Sequence, residues 1–182
     1  MTGLTIDELS VGQSARFSKT ITETDIYLYA GISGDFNPAH VNEQYAAKTF
    51  FKTRIAHGML TASFISTLIG TILPGPGSIY MRQELNFLAP VKIGDTVTAI
   101  AEVVEIIADK KRVRLKTWCI NQEGTTVLDG EALVRVVGMF AILAGLQLVL
   151  GRKPTGEKEL PGQPAVSLVG VMIGGISSLI GI

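Results

Sequence analysis

Of the two histidines in this 182-residue chain, one falls in an eight-residue stretch at positions 33–40, "SGDFNPAH". The stretch holds Asp35, Asn37, Pro38 and His40. A carboxylate beside an imidazole is an acid/base pair: the carboxylate orients the ring or shares its proton, and histidine titrates near neutrality. On a continuous helix, residues five apart are rotated about 140° from one another. Pro38 favours an extended Asn37 and fixes its own φ, so positions 35–41 are expected to form a bent loop that brings Asp35 and His40 to one point. The same residue types are also ordinary turn formers. Read alone, the stretch fits a surface turn as well as a catalytic loop.

The second constellation is "IAHGML" at 55–60, which opens an apolar run. The first N–H groups of a helix have no partner inside it. A glycine at position 58 lets a carbonyl approach that end closely, so the Gly58 N–H is a candidate oxyanion donor for a thioester. His57 lies at the positive helix end, which disfavours its charged form, and it is expected to be structural rather than the base. No metal site is expected, because two histidines and one cysteine show no ligand spacing.

These residues need elements to hold them. Residues 14–22 alternate and read as a strand. Thr22 or Thr24 caps a helix that ends near Gly34, and 42–50 read as a short helix. Residues 57–70 are apolar nearly all round and predict a buried helix about 21 Å long at 1.5 Å per residue. Proline and glycine at 74–77 end it. Four strand-like runs follow, at 78–88, 95–107, 112–122 and 125–136, and are expected to form an antiparallel meander. One buried helix followed by long strands is the hot-dog arrangement, an α+β fold in which an antiparallel sheet wraps a central helix. Its open edges predict a homodimer that pairs two sheets.

The formal net charge is zero, so no whole-chain field favours nucleic acid. Cys119 cannot form an intrachain disulfide, which fits a reducing compartment, and it is read as packing. No secretory signal is recognised at the N-terminus. The composition shifts near residue 137: the domain at 1–137 carries 27 of the 32 charged side chains. Beyond it lies an apolar tail, 138–182. Its uncharged blocks at 137–150 and 166–182 flank a polar linker and are candidate membrane segments. The expectation is a cytoplasmic domain with membrane contact through 138–182.

The stretch "YAGISGDFNPAHVNEQYAAKT", continued by "RIAHGMLTASFISTLIGTILPGPGSIYMRQELNFLAPVKIGDTV", resembles the MaoC-like (R)-specific enoyl-CoA hydratases over about residues 8–137. The resemblance implies that Asp35 and His40 are the catalytic pair and that Asn37 supports them. It further implies that the Gly58 N–H holds the thioester oxygen and that Ser66 lies near the pocket. It implies addition of water to a trans-2-enoyl-CoA, with the coenzyme A thioester as substrate and no cofactor. Lys48, Lys52, Arg54 and the turn at 109–112 are candidate phosphate contacts. A hot-dog acyl-CoA thioesterase, a 3-hydroxyacyl-acyl-carrier-protein dehydratase and a non-catalytic acyl-CoA binding module are the alternatives. The tail resembles a fragment of TauE/SafE-type membrane permeases.

Overall fold

The computed structural model describes residues 3–137. The expected membrane segments and the permease-like resemblance lie outside the described residues. Among those described, no helix is long and apolar enough to cross a membrane.

Strand β1 (Ser14–Thr20) leads into helix α1 (Glu23–Ser33). Thr22 is the cap: its hydroxyl accepts from the Asp25 N–H at 3.3 Å, and the Asp25 carboxylate accepts from the Thr22 N–H at 2.8 Å. This reciprocal capping box satisfies two donors that the helix leaves free. Gly34 ends α1 in the left-handed region, φ 77°, where a side chain would be strained. The reversal turns the chain directly into Asp35.

The expected loop at 35–41 is only half correct. Pro38 starts a single helical turn, α2 (Pro38–Val41), rather than preventing one. At the first helical position the missing N–H is one that has no intrahelical partner anyway, and the fixed φ suits the helix. Asn37 caps this turn by accepting from the Ala39 N–H at 3.0 Å. Asp35 therefore precedes the cap while His40 sits inside the turn. A second short helix, α3 (Glu43–Ala46), follows, capped by the Asn42 side chain.

Helix α4 (Gly58–Thr71) runs against β1, β2, β3 and β4. Leu60, Phe64, Ile65, Leu68 and Ile69 are buried. It is not enclosed all round, as its composition suggested. Met59, Ser63, Ser66 and Gly70 are exposed and fall on one face at helical spacing. Truncating Ile65 or Leu68, both fully buried, to alanine would cost about 2–5 kcal/mol.

The remaining strands are β2 (Ser78–Phe87), β3 (Thr96–Ile107), β4 (Arg112–Ile120) and β5 (Thr126–Val136), close to the ranges expected. The sheet order is β1-β3-β4-β5-β2, antiparallel throughout. Only β3 to β5 form a meander. The expectation that β2 also joins it in sequence is wrong, because β2 pairs with β5 at the far edge. The connection from β2 to β3 passes the start of α4, where Ala56 N–H donates to Val91 C=O at 2.7 Å and Ile55 bridges to Lys92. That crossing ties the start of α4 to the sheet. Cys119 lies fully buried in β4, and burial pushes its thiol up to about 12, as befits a packing residue.

Candidate active site

The end of α1, the turn α2 and the start of α4 meet at one cavity of about 600 Å³. Asp35, His40, His57 and Gly58 line it together with Tyr29, Phe51, Ile55, Phe87, Val91, Val127 and Leu128. It is largely apolar, with a few convergent polar groups, which is the usual character of a small-molecule site.

Asp35 is held by its backbone and leaves a carboxylate oxygen free. Its N–H donates to Ser33 Oγ at 3.2 Å, and Ser33 in turn donates to the Tyr29 carbonyl at 2.7 Å. Its Oδ1 accepts from the Asn37 N–H at 3.1 Å. The other oxygen, Oδ2, lies 4.0 Å from His40 Nε2. The Asp35 side chain is 52% exposed and that of His40 12%.

His40 Nδ1 lies 2.9 Å from the Ile55 carbonyl. A carbonyl can only accept, so Nδ1 carries a proton, and in the neutral ring Nε2 presents its lone pair towards Asp35. The 4.0 Å gap is too long for a direct hydrogen bond. An oxygen atom about 2.8 Å from each group would fit between them.

His57 is 2% exposed. It occupies the cap position of α4, but its side chain makes no capping bond. The ring turns back, and Nε2 donates to the Asp35 carbonyl at 2.9 Å. It packs on the His40 ring with centroids 3.9 Å apart and planes 32° apart, and on Tyr29 at 4.9 Å. Nδ1 is buried and has no hydrogen-bond partner among the described residues.

The expectation that no ligand set exists has to be corrected in one respect. Asp35, His40 and His57 bring ligand atoms within 4.8 Å of one another, a convergence their sequence spacing conceals. The set fits a metal poorly. One nitrogen of each ring already donates to a carbonyl, and stacked rings aim their in-plane lone pairs side by side rather than at a common point.

Gly58 is the first residue of α4, where the N–H has no intrahelical acceptor. Ser66 lies two turns further along, exposed, and is not among the residues that line the cavity. Among the expected phosphate contacts, Arg54 is already engaged. Glu23 lies 2.9 Å and Glu43 3.1 Å from its guanidinium, and Tyr27 Oη accepts from it at 3.3 Å. The hydrogen bond from Arg54 holds the Glu43 carboxyl below its usual range. None of the described cavity-lining residues is a lysine or arginine. Ser33, Tyr29, Phe87 and the Ile55 carbonyl were not singled out from sequence. Ser33 and Ile55 lie within the two short stretches quoted above, but neither residue type marks a role there.

A hot-dog domain with an acid–imidazole pair beside a helix start is the class these features define. Residues 8–123 match the model of the MaoC like domain, and the chain belongs to that family. It is 58% identical over 130 residues to an (R)-specific enoyl-CoA hydratase of Rhodospirillum rubrum, a match covering 71% of this chain and 90% of that protein. It is 49% identical over 134 residues to a 3-hydroxybutyryl-CoA dehydratase of Methylorubrum extorquens, covering 73% and 84%. Among solved structures it resembles R-hydratase PhaJ1 from Pseudomonas aeruginosa, with TM-score 0.71 and 48% identity over 74% of this chain and 86% of that one. The Aeromonas caviae (R)-hydratase involved in PHA biosynthesis gives TM-score 0.69 and 45% identity, covering 70% and 97%.

Proposed function

We propose that this chain is an (R)-specific enoyl-CoA hydratase, a hydro-lyase that adds water to a trans-2-enoyl-CoA to give an (R)-3-hydroxyacyl-CoA. The observation that carries the reading is the pair itself: His40 Nε2 facing the Asp35 carboxylate across 4.0 Å in a largely apolar cavity. The names of relatives 44–58% identical to this chain support the substrate class.

Water sits between Asp35 Oδ2 and His40 Nε2. Its oxygen bonds to C3 as Nε2 takes one of its protons. Electrons of the C2=C3 double bond move towards the thioester, and the Gly58 N–H meets the charge that develops on its oxygen. The pair then returns a proton to C2, which completes the addition. Ile55 keeps the Nδ1 proton in place throughout, so His40 works through Nε2 alone.

The acyl chain lies in the apolar part of the cavity. A homodimer joined through the β2 edge supplies cover for Met59, Phe87 and Leu88, all exposed at the start of α4 and the end of β2.

Asp35→Asn and His40→Gln are each expected to slow hydration of crotonyl-CoA by at least about 10²-fold, the low end for acid/base groups. Loss of the enoyl-thioester absorbance follows the reaction directly. Near-normal rates in both folded variants would reject the assignment, and release of free thiol would indicate a thioesterase instead.

A further inference from the structure

His57 connects every part of the site, yet the proposed chemistry gives it no proton to move. It occupies the position immediately before Gly58 and is buried to 2% exposure. A residue needed only to fill space would be apolar. Here an imidazole is buried with Nδ1 unpartnered among the described residues, a cost that an apolar side chain would not carry. What the imidazole supplies is the Nε2–H bond to the Asp35 carbonyl, 2.9 Å long and spanning 22 residues. Asp35 is otherwise tied only to near neighbours, Ser33 and Asn37. The opposite face of the problem is His40, whose ring lies on that of His57 at 3.9 Å. One side chain therefore touches the acid's backbone and the base's ring, while its own backbone begins the helix that carries Gly58.

We infer that His57 is a positioning residue: its Nε2–H bond and its ring stack hold Asp35 and His40 in register with the Gly58 N–H. The inference rests on the hydratase reading for its kinetic test, but not for its structural one. A water-holding pair separated by 4.0 Å tolerates little movement, since a shift of about 1 Å can lower a rate by about 10²-fold. The groups facing His57 are Asp35, His40 and Tyr29. Of these, only the Asp35 carbonyl bonds a ring nitrogen of His57.

The tests use the full chain. With only two histidines, ¹⁵N-labelled imidazoles give an uncrowded spectrum that reports which nitrogen of each ring carries the proton. The expected pattern is Nε2–H for His57 and Nδ1–H for His40. His57→Leu should lower kcat on crotonyl-CoA by about 10- to 100-fold with KM changed much less, as expected from lost orientation rather than lost binding. His57→Gln keeps an amide donor at similar reach and should recover at least half of that loss on a logarithmic scale. It should also keep His40 in its Nδ1–H form. Three results would overturn the inference: an Nδ1–H tautomer at His57, normal kcat in His57→Leu, or equal impairment in the two variants. If His57→Leu does not fold, the wild-type spectrum and the Gln variant still decide. If the wild-type chain does not hydrate crotonyl-CoA, the functional reading fails, while the tautomer pattern still tests the tether.

Discussion

Gly58 has no side chain, and Phe87 occupies the place where one would go. A Cβ at position 58 would lie 2.7 Å from the Phe87 ring, closer than real contacts allow. The small residue thus serves packing across 29 positions as well as the proposed approach of a carbonyl. Gly58→Ala is expected to lose activity, and adding Phe87→Ala should restore part of it. Steady-state kinetics on the four proteins give the coupling, expected at about 0.5–3 kcal/mol for residues in contact. Independent losses would show that the ring is not the obstacle. The convergence of Asp35 and His40 was legible in sequence because both lie within eight residues, so local geometry brings them together. The His57 tether was not, because it depends on where α4 starts relative to the end of α1. Nothing in "IAHGML" tells which way that ring turns.

At the scale of elements, α1 decides where Asp35 stands, and its first turn fixes α1. Burial opposes ionisation of Asp25, but hydrogen bonds from Lys19 and from the Thr22 backbone and hydroxyl outweigh it, so its carboxyl is held below the usual range. A depressed folded value means that stabilisation is present above the unfolded pKa of about 3.9 and is lost as pH falls through the folded one. Thr22→Ala is therefore expected to cost about 1 kcal/mol at pH 7, with a smaller difference once Asp25 is protonated. Urea unfolding of both proteins at neutral pH and in acid checks this; a constant difference would mean that the carboxylate adds nothing to the cap. The Thr22 cap was readable because capping is local chemistry. The turn at Pro38 was misread as a loop, since one residue type both breaks helices and starts them. The place of β2 beside β5 was missed for another reason. Strand pairing depends on which way the 88–95 connection crosses, and composition carries no trace of that.

For the described domain, the two edges of the sheet differ in character. Outward positions on β1 are Ser14, Arg16, Ser18 and Thr20, while β2 exposes Ile79, Tyr80 and Met81 at its start and Phe87 at its end, with Arg82, Glu84 and Asn86 exposed between them. Polar residues and charge on an edge discourage pairing, whereas exposed apolar residues such as those at the two ends of β2 invite it. The proposed dimer accordingly uses β2. Met81→Lys should shift sedimentation towards the single-chain mass with the fold retained, whereas Arg16→Glu on the β1 side should leave the mass unchanged. An unchanged mass for Met81→Lys would argue against the β2 edge.

Phe87, whose ring packs at Gly58, is the last residue of that same strand β2. Whatever grips β2 therefore also steadies the wall of the cavity. Association and turnover become linked by mass action: dilution below the dissociation constant should lower activity per chain, and substrate, by favouring the assembled form, should oppose that loss.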